Sequence, residues 1–271
     1  MLYFISTPIG NLNDISLRAI DVIRSCDYLY AEDTRITKKL LSFINCDKKC
    51  ISFHEHNEDK ISLDIINKIK KNKCVSIVSD AGTPTISDPG YKLIKECIKQ
   101  SINYTLIPGP SSIVNAIVMS GLPTDKFSFF GFMPKKDNEQ KVFFENLKND
   151  TKTSIFFESP KRVKKTISNL IKSIGSDRMI AICREMTKLH EEIIRGSLKD
   201  VLESIETNKV VLRGEIVLVI AGSQKNQTDF SFNLKVKNEF LKKLSASDAA
   251  KLISLITGQN KRDIYKYLIE S

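Results

Sequence analysis

Val78-Ser79-Asp80-Ala81-Gly82-Thr83-Pro84-Thr85-Ile86-Ser87-Asp88-Pro89-Gly90 decides the fold. The short apolar run before it, residues 74–78, has the length and composition of a buried strand, and a stretch of helical periodicity follows. Between them stand two Gly, two Pro and two Asp, so the chain must turn sharply with its backbone exposed. A loop of this kind at the carboxyl end of a strand is where α/β sheets place ligands. Two more turn-rich loops follow strand-like runs, Thr7-Pro8-Ile9-Gly10-Asn11 after residues 2–6 and Pro108-Gly109-Pro110-Ser111-Ser112 after residues 104–107. Three such loops leaving one edge of one sheet make a site.

Outward from that loop, strands and helices alternate. Asn13-Asp14 can cap a helix carrying Leu17, Ile20 and Ile23. A second strand, residues 28–31, runs into Glu32-Asp33-Thr34-Arg35, and Ile61, Ile65, Ile66 and Ile69 mark an amphipathic helix. Leu93, Ile94, Cys97 and Ile98 line another helix, and the one after Ser111-Ser112 stops at Gly121-Leu122-Pro123. This βα alternation predicts a mainly parallel sheet covered on both faces. Residues 127–132 open a second unit, with Met133-Pro134-Lys135-Lys136 as an exposed loop or hinge. Strands follow at 153–157, 179–183, 192–195 and 216–221, whose short connections predict a mixed sheet. The predicted fold class is therefore α/β, with an N-terminal domain over residues 1–124 and a second α/β domain over 125–223. A polar linker is expected at 224–233 and a small helical domain at 234–271. In that last domain Ser245 and Asp248 form a near capping box, and Gly258-Gln259-Asn260 separates two helices in a helix-turn-helix pattern, which also occurs as plain packing.

Composition narrows the function. At 271 residues, 41% hydrophobic and 27% charged, the chain is globular. No apolar run approaches a membrane span, and Pro8 and Gly10 cut short the apolar opening, so the expected compartment is the cytoplasm. The six cysteines form no C-x-x-C pair and are expected to be reduced core thiols. A net charge of +10 favours a polyanionic partner, RNA above all, or an anionic substrate; a lysine-rich solvated surface explains it equally well. No two glycines stand two apart and none precedes a lysine, which excludes the dinucleotide fingerprint and the P-loop. His54-Glu55-His56 lacks the spacing of a zinc helix, and no metal is expected. Donors and acceptors mixed on one sheet edge suit a small polar ligand with a cationic part.

Thr7-Pro8-Ile9-Gly10-Asn11-Leu12, Ala31-Glu32-Asp33-Thr34-Arg35 and Ser79-Asp80-Ala81-Gly82-Thr83-Pro84 together make the chain resemble the bacterial small-subunit ribosomal RNA cytidine 2′-O-methyltransferases, a branch of the tetrapyrrole methylase-like superfamily. Pro108-Gly109-Pro110, Gly121-Leu122-Pro123, Arg184-Glu185-Met186-Thr187-Lys188, Gly214-Glu215 and the tail from Lys261 to Tyr267 match in order, so the resemblance covers nearly the whole chain.

The resemblance implies S-adenosyl-L-methionine bound in a cleft between two α/β domains, without the glycine fingerprint. Cofactor contacts carried over by position fall at Pro8, at Asp80, Gly82, Thr83 and Ile86, and at Ser111 and Ser112. In the second domain they fall at Phe157, Glu185, Met186, Gly214 and Glu215. The implied reaction is methyl transfer to a cytidine 2′-hydroxyl of small-subunit ribosomal RNA, free or in the assembled subunit, by a homodimer. A positioned base or a cation would help remove the hydroxyl proton. Lys188 and Glu185 are the candidates beside the methyl group, and Asp33 with Arg35 the second pair, Arg35 gripping phosphate; both pairs also suit plain structural ion pairs. Lys135-Lys136, Lys161-Arg162, Lys164-Lys165 and Lys261-Arg262 are the expected RNA contacts. Two rivals stay open, a methylase acting on a macrocycle and a ribosome-assembly protein whose cleft no longer binds a cofactor.

Overall fold

The computed structural model describes residues 1–223, 234–257 and 260–269. Its contacts separate Met1–Ser223 from Gln224–Ser271. In the larger unit the first sheet holds β1 (Leu2–Ile5), β2 (Tyr28–Ala31), β3 (Cys50–Ser52), β4 (Val75–Val78) and β5 (Tyr104–Ile107), in the order β3-β2-β4-β1-β5. Every pairing is parallel, as the βα alternation requires. Side chains alternate between two cores. Ile5, Leu29 and Val78 face one way with Ala19, Ile23 and Leu40, while Phe4, Tyr30 and Ile77 face the other with Ile65 and Leu93. Burying such a side chain stabilises the fold by roughly 1.5–3 kcal/mol, and both faces of β1, β2 and β4 draw on it.

The helices of this half are α1 (Leu17–Ser25), α2 (Thr34–Phe43), α3 (Glu58–Lys70), α4 (Tyr91–Lys99) and α5 (Ser112–Ser120). The first one starts later than the sequence predicts. Ser16, not Asn13-Asp14, is its N-cap, accepting from the Ala19 amide, while Asn11 caps a short turn over Leu12–Asp14. That start puts Ala19 and Ile23, four apart, on the buried face and turns Leu17 out to 82% exposure.

The second sheet holds β6 (Phe127–Phe132), β7 (Thr153–Glu158), β8 (Met179–Arg184), β9 (Glu192–Ser197) and β10 (Ile216–Ile220), in the order β6-β7-β10-β8-β9. It is mixed: β6 runs parallel to β7 and the other pairings are antiparallel. One face is covered by α6 (Asp137–Asn149), α7 (Pro160–Ile174) and α8 (Leu198–Glu206). The last of these is a helix the strand-centred reading passed over, although Ser197 and Asp200 form a full capping box at its start. Met133 is not part of an exposed hinge; it is buried against Phe144 and Phe156 in this core. The other face is covered by α5, whose Ala116 and Ile117 pack with Ile155, Ala181, Val217 and Val219. A helix that begins at the ligand edge of the first sheet thus ends as the lining of the second.

The smaller unit is helical: α9 (Leu234–Lys243), α10 (Ala246–Thr257) and α11 (Lys261–Ile269). Ala249, Ala250, Ile253, Ile264 and Leu268 form its core. Ser245 accepts from the Asp248 amide at 3.1 Å, as the near capping box predicts. The expected linker at 224–233 and the Gly258-Gln259 part of the turn lie outside the described residues. No described helix is long and apolar enough to cross a membrane.

Candidate active site

Because β4, β1 and β5 are neighbours and parallel, the three turn-rich loops leave from the same sheet edge. They are tied together there. Thr7 and Gly82 exchange both backbone hydrogen bonds, at 2.9 and 3.0 Å. The Thr7 hydroxyl donates to the Ser79 carbonyl at 3.1 Å. Thr83 joins the third loop, its hydroxyl 3.2 Å from that of Ser6 and donating to the Pro110 carbonyl at 3.4 Å. Gly82 sits at φ +78°, a left-handed conformation that costs an L side chain roughly 1–2 kcal/mol.

Other residues accept that cost. Thr85 (φ +75°) and Ser87 (+66°) flank Ile86, while Glu185 (+49°) and Thr187 (+66°) flank Met186. A β-branched residue at positive φ is a true outlier. Both strained pairs bracket an apolar side chain aimed at the same space.

That space is a cleft of about 400 Å³ between the two sheets. Gly82, Thr83, Ile86 and Asp88 line it from the central loop, Ile9 from the first, and Ser111, Ser112 and Ile113 from the start of α5. Phe132, Phe157, Glu158, Ser159 and Pro160 line it from β6, β7 and the start of α7; Met186, Gly214, Glu215, Ile216 and Val217 complete it. Its walls are mostly apolar, with Phe132 edge-on to Phe157 at 5.3 Å. A cleft of this size and lining suits a ligand with a flat apolar part.

Charge is arranged unevenly. Ser111 caps α5, and the free amides at that helix start favour a carboxylate. Carboxylates crowd the ends of β2 and β4. Burial and the charges of Glu32 and Asp80 push the Asp88 carboxyl up to about 7. Burial likewise raises Glu32 and Asp80, each also raised by a neighbouring carboxylate. Asp33 is held in the opposite sense. The Arg35 guanidinium chelates it at 2.5 to 3.2 Å, bringing its carboxyl down to about 2.

Of the positions carried over from the resemblance, Gly82, Thr83, Ile86, Ser111, Ser112, Phe157, Met186, Gly214 and Glu215 line the cleft. Pro8 is buried and Asp80 half-buried, both outside the lining, and Asp80 accepts from the Asp33 amide at 2.8 Å. Glu185 lines a separate hollow with Arg184, His190 and Arg213. It accepts from the Glu215 amide at 2.8 Å and from Lys188 at 2.9 Å, and both bonds lower its carboxyl. Gly214, at φ +78°, lets it approach: a Cβ there would lie 2.3 Å from the Glu185 carboxyl carbon. Lys188 also pairs with Glu215 at 3.2 Å, and Asp33 and Arg35 stand outside the lining. Among the expected RNA contacts, Arg162 is taken up by Glu158 and the Met133 carbonyl. Lys136, Lys164 and Lys165 form surface ion pairs with Glu139, Glu206 and Asp137, while Lys135 and Lys161 form none among the described residues.

Asp88, Glu158 and the Ile216-Val217 wall escaped the sequence reading. The Asp-Pro-Gly ending of the central loop was the signal available for Asp88; Glu158 ends a strand whose apolar pattern hides it.

Comparison with known proteins agrees with this geometry. The model of the tetrapyrrole (corrin/porphyrin) methylases matches residues 1–202. Ribosomal RNA small subunit methyltransferase I of Halalkalibacterium halodurans is 37% identical over 271 residues, covering 97% of this chain and 93% of its own. The protein of the same name from Thermotoga maritima is 42% identical over 223 residues, covering 82% of this chain and 99% of its own. Among solved structures, a cobalt precorrin-4 methyltransferase superposes with a TM-score of 0.59 at 16% identity, covering 81% of this chain and 94% of its own. Diphthine synthase gives 0.60 at 15%, covering 81% and 89%; these two show the fold alone. The chain therefore belongs to the tetrapyrrole methylase family, in the group whose members carry the name ribosomal RNA small subunit methyltransferase I.

Proposed function

We propose that this protein methylates small-subunit ribosomal RNA, transferring the methyl group of S-adenosyl-L-methionine to the 2′-hydroxyl of a cytidine. The observation that carries the reading is the match, over nearly the whole chain, to proteins named for that RNA. The cleft supports the cofactor on its own terms. Ile9, Ile86, Phe157, Met186 and Val217 offer apolar walls for an adenine, the start of α5 suits a carboxylate, and the Asp88 carboxyl in the wall suits a cation. A zwitterion with a sulfonium needs all three. When bound, that group supplies an already activated methyl, so the protein's task is alignment and removal of one proton.

The RNA is then held by phosphate contacts from the cationic surface, consistent with a net charge of +10. Of the expected contacts, Lys135 and Lys161 form no ion pair among the described residues of the larger unit, and Lys261 and Arg262 are exposed in the helical one. The homodimer and the cytoplasmic location are part of the same proposal, the first to be tested by sedimentation.

The deciding experiment offers labelled S-adenosylmethionine with small ribosomal subunits lacking their 2′-O-methylcytidine, and with naked ribosomal RNA beside them. Nuclease digestion and mass spectrometry then locate the label. Label on one cytidine ribose is the expected result. Cofactor binding with no labelled RNA in either form overturns the proposal in favour of a macrocyclic acceptor.

A further inference from the structure

Among the described residues three carboxyl side chains line the cleft, and no histidine or lysine does. Two of the three are committed. Glu158 has a fully buried side chain that accepts from the Ser159 amide at 2.7 Å, from Arg162 Nε at 2.7 Å and from the Thr166 hydroxyl at 2.8 Å. Glu215 is 74% exposed and pairs with Lys188. Asp88 differs from both. It is half-buried in the cleft wall and bears no ion pair among the described residues.

Resting on the methyl-transfer reading above, we propose that Asp88 is the catalytic residue that accepts the ribose 2′-hydroxyl proton, with Glu32 and Asp80 as positioning residues for it. The 2′-oxygen forms a bond to the methyl carbon while the carbon–sulfur bond breaks, its electron pair returning to sulfur. The hydroxyl proton passes to the Asp88 carboxylate. No oxidant or further reactant enters the balance.

The surroundings of Asp88 favour this role. The charges of Glu32 at the end of β2 and of Asp80 after β4 act on it; Asp33 and Arg35 act on Asp80, and His54 acts on Glu32. Crowding by Glu32 and Asp80 opposes ionisation until a cation arrives. A bound sulfonium relieves the repulsion, so the base is unmasked when the methyl donor is in place. A base that titrates near the working pH is also the most efficient one. Lys188, Glu185 and Asp33 are poorer acceptors: the first is held protonated by Glu185 and Glu215, and the other two are held ionised by their partners.

The test reads protons before it reads turnover. Titration calorimetry near pH 7, in two buffers of different ionisation heat, follows the binding of S-adenosylmethionine and of the uncharged S-adenosylhomocysteine. The wild-type protein is expected to release a fraction of a proton with the first ligand and less with the second. Asp88→Asn is expected to bind both with that difference gone. In the transfer assay Asp88→Asn should lose turnover by about 100-fold or more at saturating cofactor, with KM for the cofactor within about threefold. Glu32→Gln should instead shift the acidic limb of the pH–rate profile to lower pH and keep most of the activity.

Full turnover in Asp88→Asn overturns the proton-acceptor role alone. So does a loss that tracks weakened cofactor affinity, which would make Asp88 a binding residue. A wild-type protein that binds the cofactor yet labels no ribose overturns the methyl-transfer reading and this role with it. Thermal unfolding separates a failure to fold, and Asp88→Glu, which keeps the carboxylate, is expected to restore part of the turnover that Asp88→Asn loses.

Discussion

Gly82→Ala isolates what the left-handed backbone at the cleft does. The added methyl group meets no hard obstacle, since its nearest neighbour is Ile9 Cγ2 at 3.4 Å. The cost is conformational, roughly 1–2 kcal/mol for an L residue held at φ +78°. The chain can carry that cost as lost stability, or escape it by leaving the left-handed region. Escape breaks the two hydrogen bonds between Thr7 and Gly82 and releases the first loop from the central one. A binding-competent loop that is populated only in part weakens affinity by that fraction. At 1.4 kcal/mol per factor of ten, S-adenosylmethionine affinity should fall roughly 5- to 30-fold. Gly121→Ala is the matched control. It imposes the same strain, at φ +71° with Arg195 Nε 3.8 Å from the new Cβ, but at the end of α5 and outside the cleft lining. Calorimetric binding and thermal unfolding are measured on both. Gly121→Ala should lower Tm by about 2–4 °C per kcal/mol and bind normally. Wild-type affinity in Gly82→Ala, or equal weakening in both variants, would refute the reasoning.

Other perturbations separate the roles of neighbouring groups. Arg162→Ala leaves the buried Glu158 carboxylate without its cation and should cost about 3–5 kcal/mol in urea unfolding; a loss below about 1 kcal/mol would return Arg162 to the RNA-contact surface. The Asp88 carboxyl is raised in the folded protein, so the folded state binds more protons than the unfolded one between about pH 4 and 7. The contribution of Asp88 to stability therefore falls as pH rises through that window, and the Tm of Asp88→Asn should gain on the wild type from pH 4 to pH 8; a constant difference would place the carboxyl in solvent. Ending the chain at Ser223 removes the helical unit and should weaken RNA binding far more than cofactor binding, because the cleft lies wholly within Met1–Ser223; equal losses would mean the helices support the fold. Lys188→Met should leave turnover within a few-fold if Lys188 only orders Glu185 and Glu215, and a loss of a hundredfold would make it a participant.

The first sheet was legible because a parallel sheet writes itself as apolar runs ending in turns, and those turns carry the Gly, Pro and Asp that a sequence displays. Thr83, Ser111 and Ser112 could be placed for the same reason: each stands four or five residues past a strand end. Glu185 and Lys188 were placed at the cleft by the resemblance alone. In the antiparallel part of the second sheet, though, the end of β8 also faces the Gly214-Glu215 turn, and their charges are consumed there. The start of α1 was misplaced because Asn11, Asn13, Asp14 and Ser16 all have capping side chains, and the choice among them is made by which register buries Ile23. Asp88 stayed hidden since its character comes from burial and from the charges of Glu32, 56 residues away in sequence, and of Asp80 in its own loop. Burial and long-range charge are properties of the fold, not of the segment.

Strain marks the site more sharply than composition does. Of the eight non-glycine residues at positive φ among the described residues, four, Thr85, Ser87, Glu185 and Thr187, stand in two pairs, each around one apolar side chain of the cleft. Two of the four are threonines, for which local preference offers no support. Such residues persist only where surrounding contacts over-determine them. Here those contacts come from both sheets: Gly90 and the central loop are anchored by Glu58, whose carboxylate accepts from the Gly90 and Lys92 amides at 2.9 and 3.0 Å. The Thr187 hydroxyl accepts from the Asn11 amide at 3.2 Å, joining the second half of the unit to the first loop of the first half. The cleft is thus held open by a frame that spends stability on shape, with its one uncommitted carboxyl placed where a cation and a hydroxyl would meet.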